Sequence, residues 1–508
     1  MSKGKRIKDK VYGSVFVVVI LTILISIISF LFSIFGVEAY KTVVNNGTLE
    51  STLVTAKNVL SVDGIRYVIG NSVKNFKNCE PLYLLIIALI SMGIGEKSGL
   101  FKNLFEPFKR VKLNIIIFLT LLIGILSSII GDYSYIFLIP LAGIMYSNIG
   151  KNPMLGILVM FLGISLGYGT SILFSYNDHL MGLMTEKAAI IDIDKSYKYS
   201  LFSNIYIMVI SMLILNFIMT ILINKFLVNK ISNKYIKNTD ELVTSKKAML
   251  TSTIVFVILT LITIYAVLPL KIPFAGILLD NDANRYIEKL FGDKSSFGNG
   301  FVVIISIIII ICSWVYGKIS GNIKNTQEFS LGLSNTFERL GLVIVLLFFS
   351  SQMIAILDWS NIGTIIGAKL IEIMGNLQFS GLPLIVMMFV IIIVMGIFIP
   401  STITKWDIAS PTLIPLFMRA NITPGFTQFI FKVADGISKS LTPISIYFII
   451  MIAFLEKYNA DEKNAISIFG TLKLVLPVIL LTTLLWLLII IIWYVIGLPI
   501  GIGIYPTI

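Results

Sequence analysis

The chain has 508 residues, of which 56% are hydrophobic and only 13% charged, about half the roughly 25% charge of soluble domains. That composition excludes a string of soluble domains and demands several membrane crossings. The net charge of +13 lies between apolar runs, so it reads as membrane topology and not as a nucleic-acid surface.

The first apolar run, residues 11–36, is too long for a signal-peptide core and lacks a small-residue cleavage site, so it is expected to stay as an anchor. Further single crossings are expected at 81–98, 153–176, 200–223, 248–268, 300–317, 340–357, 424–450 and 467–496. Two stretches, 111–149 and 381–420, are nearly twice as long and have polar, helix-breaking centres. These centres are Gly131-Asp132-Tyr133-Ser134 and Pro400-Ser401-Thr402-Ile403-Thr404-Lys405. Each long stretch is either two thin crossings or a re-entrant hairpin, and the polar centres resemble hairpin tips more than aqueous loops. Lys and Arg gather in 1–10, 96–112 and 225–247, which puts the N-terminus in the cytoplasm and the C-terminus outside. The expected fold is an all-α polytopic membrane protein with nine transmembrane helices plus two re-entrant helical hairpins. Cys79 and Cys312 are too few for a disulfide framework, and a single histidine, His179, argues against a Cys/His metal site. No bound cofactor is expected.

The two long stretches are followed by matching sequences. After the first come Ile139-Pro140-Leu141, Pro153 and then Gly163-Ile164-Ser165-Leu166-Gly167-Tyr168-Gly169-Thr170-Ser171. After the second come Ile414-Pro415-Leu416, Pro424 and then Ala434-Asp435-Gly436-Ile437-Ser438-Lys439-Ser440-Leu441-Thr442-Pro443. With the hairpins opening to opposite faces, this is an inverted-topology repeat, a construction common in secondary transporters. It divides the chain into an N-terminal scaffold part (1–110), a first repeat (111–200), connecting helices (201–357), a second repeat (358–455) and a C-terminal helix (456–508).

Irregular backbone at membrane depth survives only where protein or a water-filled cavity satisfies its polar groups. Breaks are therefore expected at Pro400, Pro424, Gly436 and Pro443, converging with the hairpin tips on one polar pocket. Gly167, Thr170, Ser171, Ser401, Thr402 and Lys432 are candidates to line it for a solute. Asp435 in an apolar crossing must be paired, protonated or cation-bound. Lys432 and Lys439 lie three and four residues away on one helical face, so Asp435 is either half of a buried ion pair or a coupling carboxylate aided by Ser438. Asp178 is either a coupling residue or a cap on the next helix. Asp132 at the first tip either binds a cation or caps a half-helix. Trp406 either stacks on an aromatic solute whose carboxylate Lys405 attracts, or anchors at the membrane interface.

An ordered set of motifs resembles the AbgT family of p-aminobenzoyl-glutamate transporters over most of the chain. It includes Gly64-Ile65-Arg66-Tyr67, Gly93-Ile94-Gly95-Glu96-Lys97-Ser98-Gly99, Gly150-Lys151-Asn152-Pro153, Asn177-Asp178-His179 and Asp358-Trp359-Ser360-Asn361. It continues with Lys405-Trp406, Ala409-Ser410-Pro411, Pro424 to Gln428, Lys432 to Asp435, Thr442-Pro443 and Gly497-Leu498-Pro499. The resemblance implies a homodimer in a bacterial cytoplasmic membrane, moving a small anionic or aromatic solute, including sulfonamide-like antimetabolites, coupled to H+ or Na+. It implies that Asp178 and Asp435 are the functional carboxylates and Trp406 the hairpin tryptophan. The pattern departs at Gly396, Ser171 and Lys439, where the family has Asn, at Lys432 for Arg and at Ile403 for Ser. An ammonium at 439 is able to occupy a cation site itself. An enzyme is disfavoured: no Gly-x-Gly-Asp signature, catalytic triad or metal-ligand cluster occurs. A channel, or a dicarboxylate or amino-acid carrier of the same architecture, are the other readings.

Overall fold

The computed structural model describes residues 13–45, 47–191, 193–232, 234–236, 242–270, 272–337, 340–461 and 465–508. The expected start of the first crossing at Val11 lies outside them. Helix α1 (Ser14–Ile34) leads into strands β1 (Glu38–Asn45) and β2 (Thr48–Thr55), then α2 (Val62–Lys77), α3 (Glu80–Lys97) and α4 (Leu100–Phe105). Helices α5 (Leu113–Leu126) and α6 (Tyr133–Asn148) form the first long stretch, followed by α7 (Pro153–Leu166) and α8 (Tyr176–Ala189). Next come α9 (Ile205–Phe226), α10 (Lys246–Val267), α11 (Tyr286–Phe291), α12 (Ser296–Ser320) and α13 (Thr326–Ser334). Helices α14 (Gly341–Trp359), α15 (Ile362–Asn376), α16 (Gly381–Phe398) and α17 (Thr402–Arg419) precede α18 (Pro424–Leu441), α19 (Ile446–Lys457) and α20 (Ile468–Ile496).

Ten helical stretches among the described residues are long and apolar enough to cross a membrane. A short β-ribbon corrects the all-α expectation. Strands β1 and β2 pair antiparallel, with Ala39 opposite Val54 and Lys41 opposite Thr52. Ala39 is buried against Ile365 and Ala368 of α15, so the hairpin gains the apolar contact that a lone two-stranded ribbon lacks in water.

The sequence order hairpin, helix, break, helix occurs twice. Helices α5 and α6 turn at 127–132, and α7 is followed by non-helical residues 167–175 before α8. Helices α16 and α17 turn at 399–401, and α18 is followed by 442–445 before α19. The break positions differ from expectation in two respects. Gly436 is not a break, since α18 runs unbroken from Pro424 to Leu441. Its missing side chain serves packing instead: a Cβ there would lie 2.6 Å from the Ser165 carbonyl oxygen and 2.7 Å from Tyr168 Cβ. Glycine thus lets α18 cross tightly over the end of α7. Pro424 is not a break either. It opens α18 in the first turn, where a missing N–H costs nothing. Pro443 does lie in the second interruption, and Pro400 at the second hairpin turn. The crossing expected at 153–176 is helical only to Leu166, and α8 resumes the helix beyond it.

Candidate functional site

The second hairpin turn sets the first part of the site. Ser401 caps α17, its hydroxyl accepting from Thr404 N at 3.3 Å. The helix then places Thr402 and Lys405, three residues apart, on one face. Both reach Asp435 in the middle of α18. The Thr402 hydroxyl donates to Asp435 Oδ2 at 2.5 Å, and the Lys405 ammonium pairs with Oδ1. Lys405 and Asp435 side chains are both 0% exposed, so each charge depends on the other. Lys405 Nζ also lies 3.4 Å from Ser438 Oγ. Gly396, on α16, leaves room for this arrangement: a Cβ there would overlap Ser438 and lie 3.2 Å from Lys405 Nζ.

Lys439, one turn beyond Asp435, links α18 to the turn between α5 and α6. Its ammonium is 3.8 Å from Asp435 Oδ2 and 3.3 Å from Asp132 Oδ1 at the first hairpin turn. It also sits 4.0 Å from the centroid of the Tyr168 ring, in the 167–175 interruption. Asp132 occupies the residue before α6, but its side chain makes no cap bond. The half-helix capping alternative is thereby corrected: the carboxylate turns to the buried lysine. Lys432 does not pair with Asp435. It bonds Asp178 Oδ1 at 2.6 Å, because its side chain leaves α18 toward α8. Asp178 does cap, too: its Oδ2 accepts from Ser175 N at 2.8 Å and Oγ at 2.9 Å. Lys405, Asp435, Lys439 and Asp132 thus form one alternating row of charges, and Lys432 with Asp178 forms a separate pair.

The remaining candidates hold the frame. The Thr170 hydroxyl donates to Gly167 O at 2.8 Å, and Ser128 Oγ donates to Thr170 O at 3.0 Å. Ser171 Oγ accepts from Leu173 N at 3.2 Å. These bonds satisfy polar groups of the irregular backbone where it is buried inside the protein. Trp406 is completely buried, which corrects the interfacial-anchor alternative. Its indole N–H donates to Met181 O at 3.1 Å and faces Thr185 Oγ1 at 3.2 Å on α8. Its ring packs 4.5 Å from Phe431. His179 points away from Asp178, bonding Tyr199 and, at 2.8 Å, Glu288 of α11. Outside the membrane-embedded helices, burial alone would raise the Glu288 carboxyl. The Arg285 backbone N–H, His179 and the Arg285 charge outweigh it and hold that carboxyl below its ordinary value.

Sequence reasoning passed over Tyr168, whose ring faces both Lys439 and Lys432 (5.5 Å). It also passed over a cavity of about 270 Å³ beside Asp132, lined by Glu80, Tyr133, Tyr176, Asn177, Asn299 and Tyr447. Tyrosines and asparagines scattered over distant segments carry no spacing that would have announced either.

The family described as the AbgT putative transporter family matches residues 4–508. The p-aminobenzoyl-glutamate transport protein of Escherichia coli (strain K12) is 28% identical over 505 residues, covering 99% of this chain and 96% of the relative. Among solved structures, the YdaH transporter of Alcanivorax borkumensis aligns at 26% identity over 97% of this chain and 100% of that one, with a TM-score of 0.48. MtrF of Neisseria gonorrhoeae, described with a class of antimetabolite efflux pumps, aligns at 24% identity over 98% of each chain, also at 0.48. Matched along nearly its whole length, the chain belongs to the AbgT putative transporter family, and is a multi-pass membrane transporter and not an enzyme.

Proposed function

We propose that this transporter is a secondary carrier for p-aminobenzoyl-glutamate or a related small anionic, aromatic solute, sulfonamide-like antimetabolites included. It works as a homodimer in a bacterial cytoplasmic membrane, with nine crossings, two re-entrant hairpins, a cytoplasmic N-terminus and an external C-terminus. The kinship with the p-aminobenzoyl-glutamate transport protein supports the solute class. One observation carries the mechanism: Asp435 is held at once by Lys405 of one hairpin and, through Lys439, by Asp132 of the other.

That ladder is a switch in the following sense. In a low-dielectric interior a carboxylate without a partner is expensive. A solute carboxylate that engages Lys405 or Lys432 displaces Asp435 or Asp178. The displaced group then needs a positive charge, so the solute moves with a cation, H+ or Na+. Because the ladder ties both hairpins to α18, exchanging its partners loosens one hairpin while holding the other. The two hairpins with their broken crossings move as a unit against the remaining helices. Trp406 positions α8 against α17 within that unit.

The test is flux in proteoliposomes of the purified chain with imposed ion gradients. Saturable uptake of p-aminobenzoyl-glutamate with counterflow supports the reading. Saturable uptake of succinate alone would reassign it to dicarboxylates, and non-saturating flux without counterflow would make it a channel.

A further inference from the structure

The Lys439 ammonium lies within reach of two carboxylates from different repeats, Asp132 at 3.3 Å and Asp435 at 3.8 Å, with the face of Tyr168 4.0 Å below. Two carboxylates on separate elements closing over one point, backed by an aromatic face, is the environment of a small cation. Here that point is filled by a charge belonging to the chain itself, on a side chain only 3% exposed. Lys439 projects one turn from Asp435 on an unbroken helix, so the ammonium is delivered by a rigid element and cannot diffuse away. Lys405 supplies a second resident charge on the opposite side of Asp435. With both in place, the carboxylates are neutralised before any ion arrives.

We infer that Lys439 is a tethered cation standing where a sodium ion would be held between Asp132 and Asp435, so that transport by this chain runs without sodium. This rests on the carrier reading above and narrows its coupling ion to the proton. A proton can be taken up by a displaced carboxylate without any room being made for it, whereas a sodium ion must evict the ammonium. Removing the ammonium leaves two carboxylates sharing one site, which disfavours having both charged. Such a site recruits a free cation. Lys439→Asn adds a carbonyl oxygen as a further ligand.

The experiment measures sodium binding directly, without reference to solute. Thermal unfolding of the detergent-purified full chain is followed while sodium chloride replaces choline chloride at constant ionic strength. Wild type is expected to show no saturable response, and Lys439→Asn a saturable rise of roughly 3 °C, the size expected from about 100-fold excess over Kd. In Asp132→Asn/Lys439→Asn the rise is expected to vanish. A saturable sodium response in wild type overturns the inference, as does a folded Lys439→Asn that ignores sodium. If Lys439→Asn does not fold, wild-type proteoliposome uptake decides. Equal rates in sodium and choline uphold the inference, and sodium-dependent uptake overturns it. Absence of flux under every gradient would instead count against the carrier reading, and the unfolding measurement on wild type would then stand by itself.

Discussion

The Lys405 ammonium, in the first turn of α17, pairs with the Asp435 carboxylate in the middle of α18, and neither side chain is exposed to solvent. A buried pair of this kind adds little net stability, but breaking it strands a charge. Lys405→Met is therefore expected to lower stability by about 3–5 kcal/mol. Lys405→Met/Asp435→Leu should recover much of the loss, with a coupling of about 1–3 kcal/mol in a double-mutant cycle by denaturant unfolding in detergent. Additive losses would mean the two charges do not depend on one another.

Gly436 lets α18 lie against the end of α7. Gly436→Val is expected to push the helices apart at Ser165 O, where even a Cβ would lie at 2.6 Å. Overpacking of this kind costs about 1–3 kcal/mol. The expected result is a lower melting temperature for Gly436→Val than for Gly436→Ala, with both below wild type.

Gly396 makes room for Ser438 and the Lys405 ammonium. Gly396→Ala is expected to displace Lys405 from Asp435 and reduce flux by about tenfold or more, the kinetic equivalent of about 1.4 kcal/mol. Uptake at wild-type rate would show that the ladder tolerates the shift.

Trp406 is tied to α8 by its indole N–H. Trp406→Phe keeps the ring packing on Phe431 but leaves the Met181 carbonyl without that donor, a loss of about 1 kcal/mol. Unfolding should register it while KM for the solute stays within about twofold. A large rise in KM with unchanged stability would instead place the indole against the solute.

The membrane architecture was largely legible because an uninterrupted run of some 20 apolar residues matches the thickness of a bilayer's hydrocarbon core. The two overlong runs with polar centres resolved into α5–α6 and α16–α17. The interruptions were legible only to within several residues. Gly163 to Leu166 and Ala434 to Ser440 look like breaks in sequence, yet both stay helical because small residues let α7 and α18 approach closely. The membership of the charge cluster was legible, and so was the Lys439–Asp435 pair one turn apart on α18, but the other pairings were not. Lys432 and Lys439 are the sequence neighbours of Asp435, whereas the partners Lys432–Asp178 and Lys439–Asp132 are brought together by tertiary folding, the latter across 307 residues. Strands β1 and β2 are short and mixed in polarity, so apolar runs do not mark them; their signal in the sequence is the Asn46-Gly47 pair, which favours a hairpin.

The most direct measurement is coupled flux by Asp435→Asn in proteoliposomes, beside wild type at matched reconstitution. The amide keeps the shape but can neither pair with Lys405 as a charge nor take up a proton. The expected result is loss of gradient-driven accumulation, at least tenfold, with folding retained by thermal unfolding. Accumulation equal to wild type under the same gradient would contradict a mechanism that works through the Asp435 ladder.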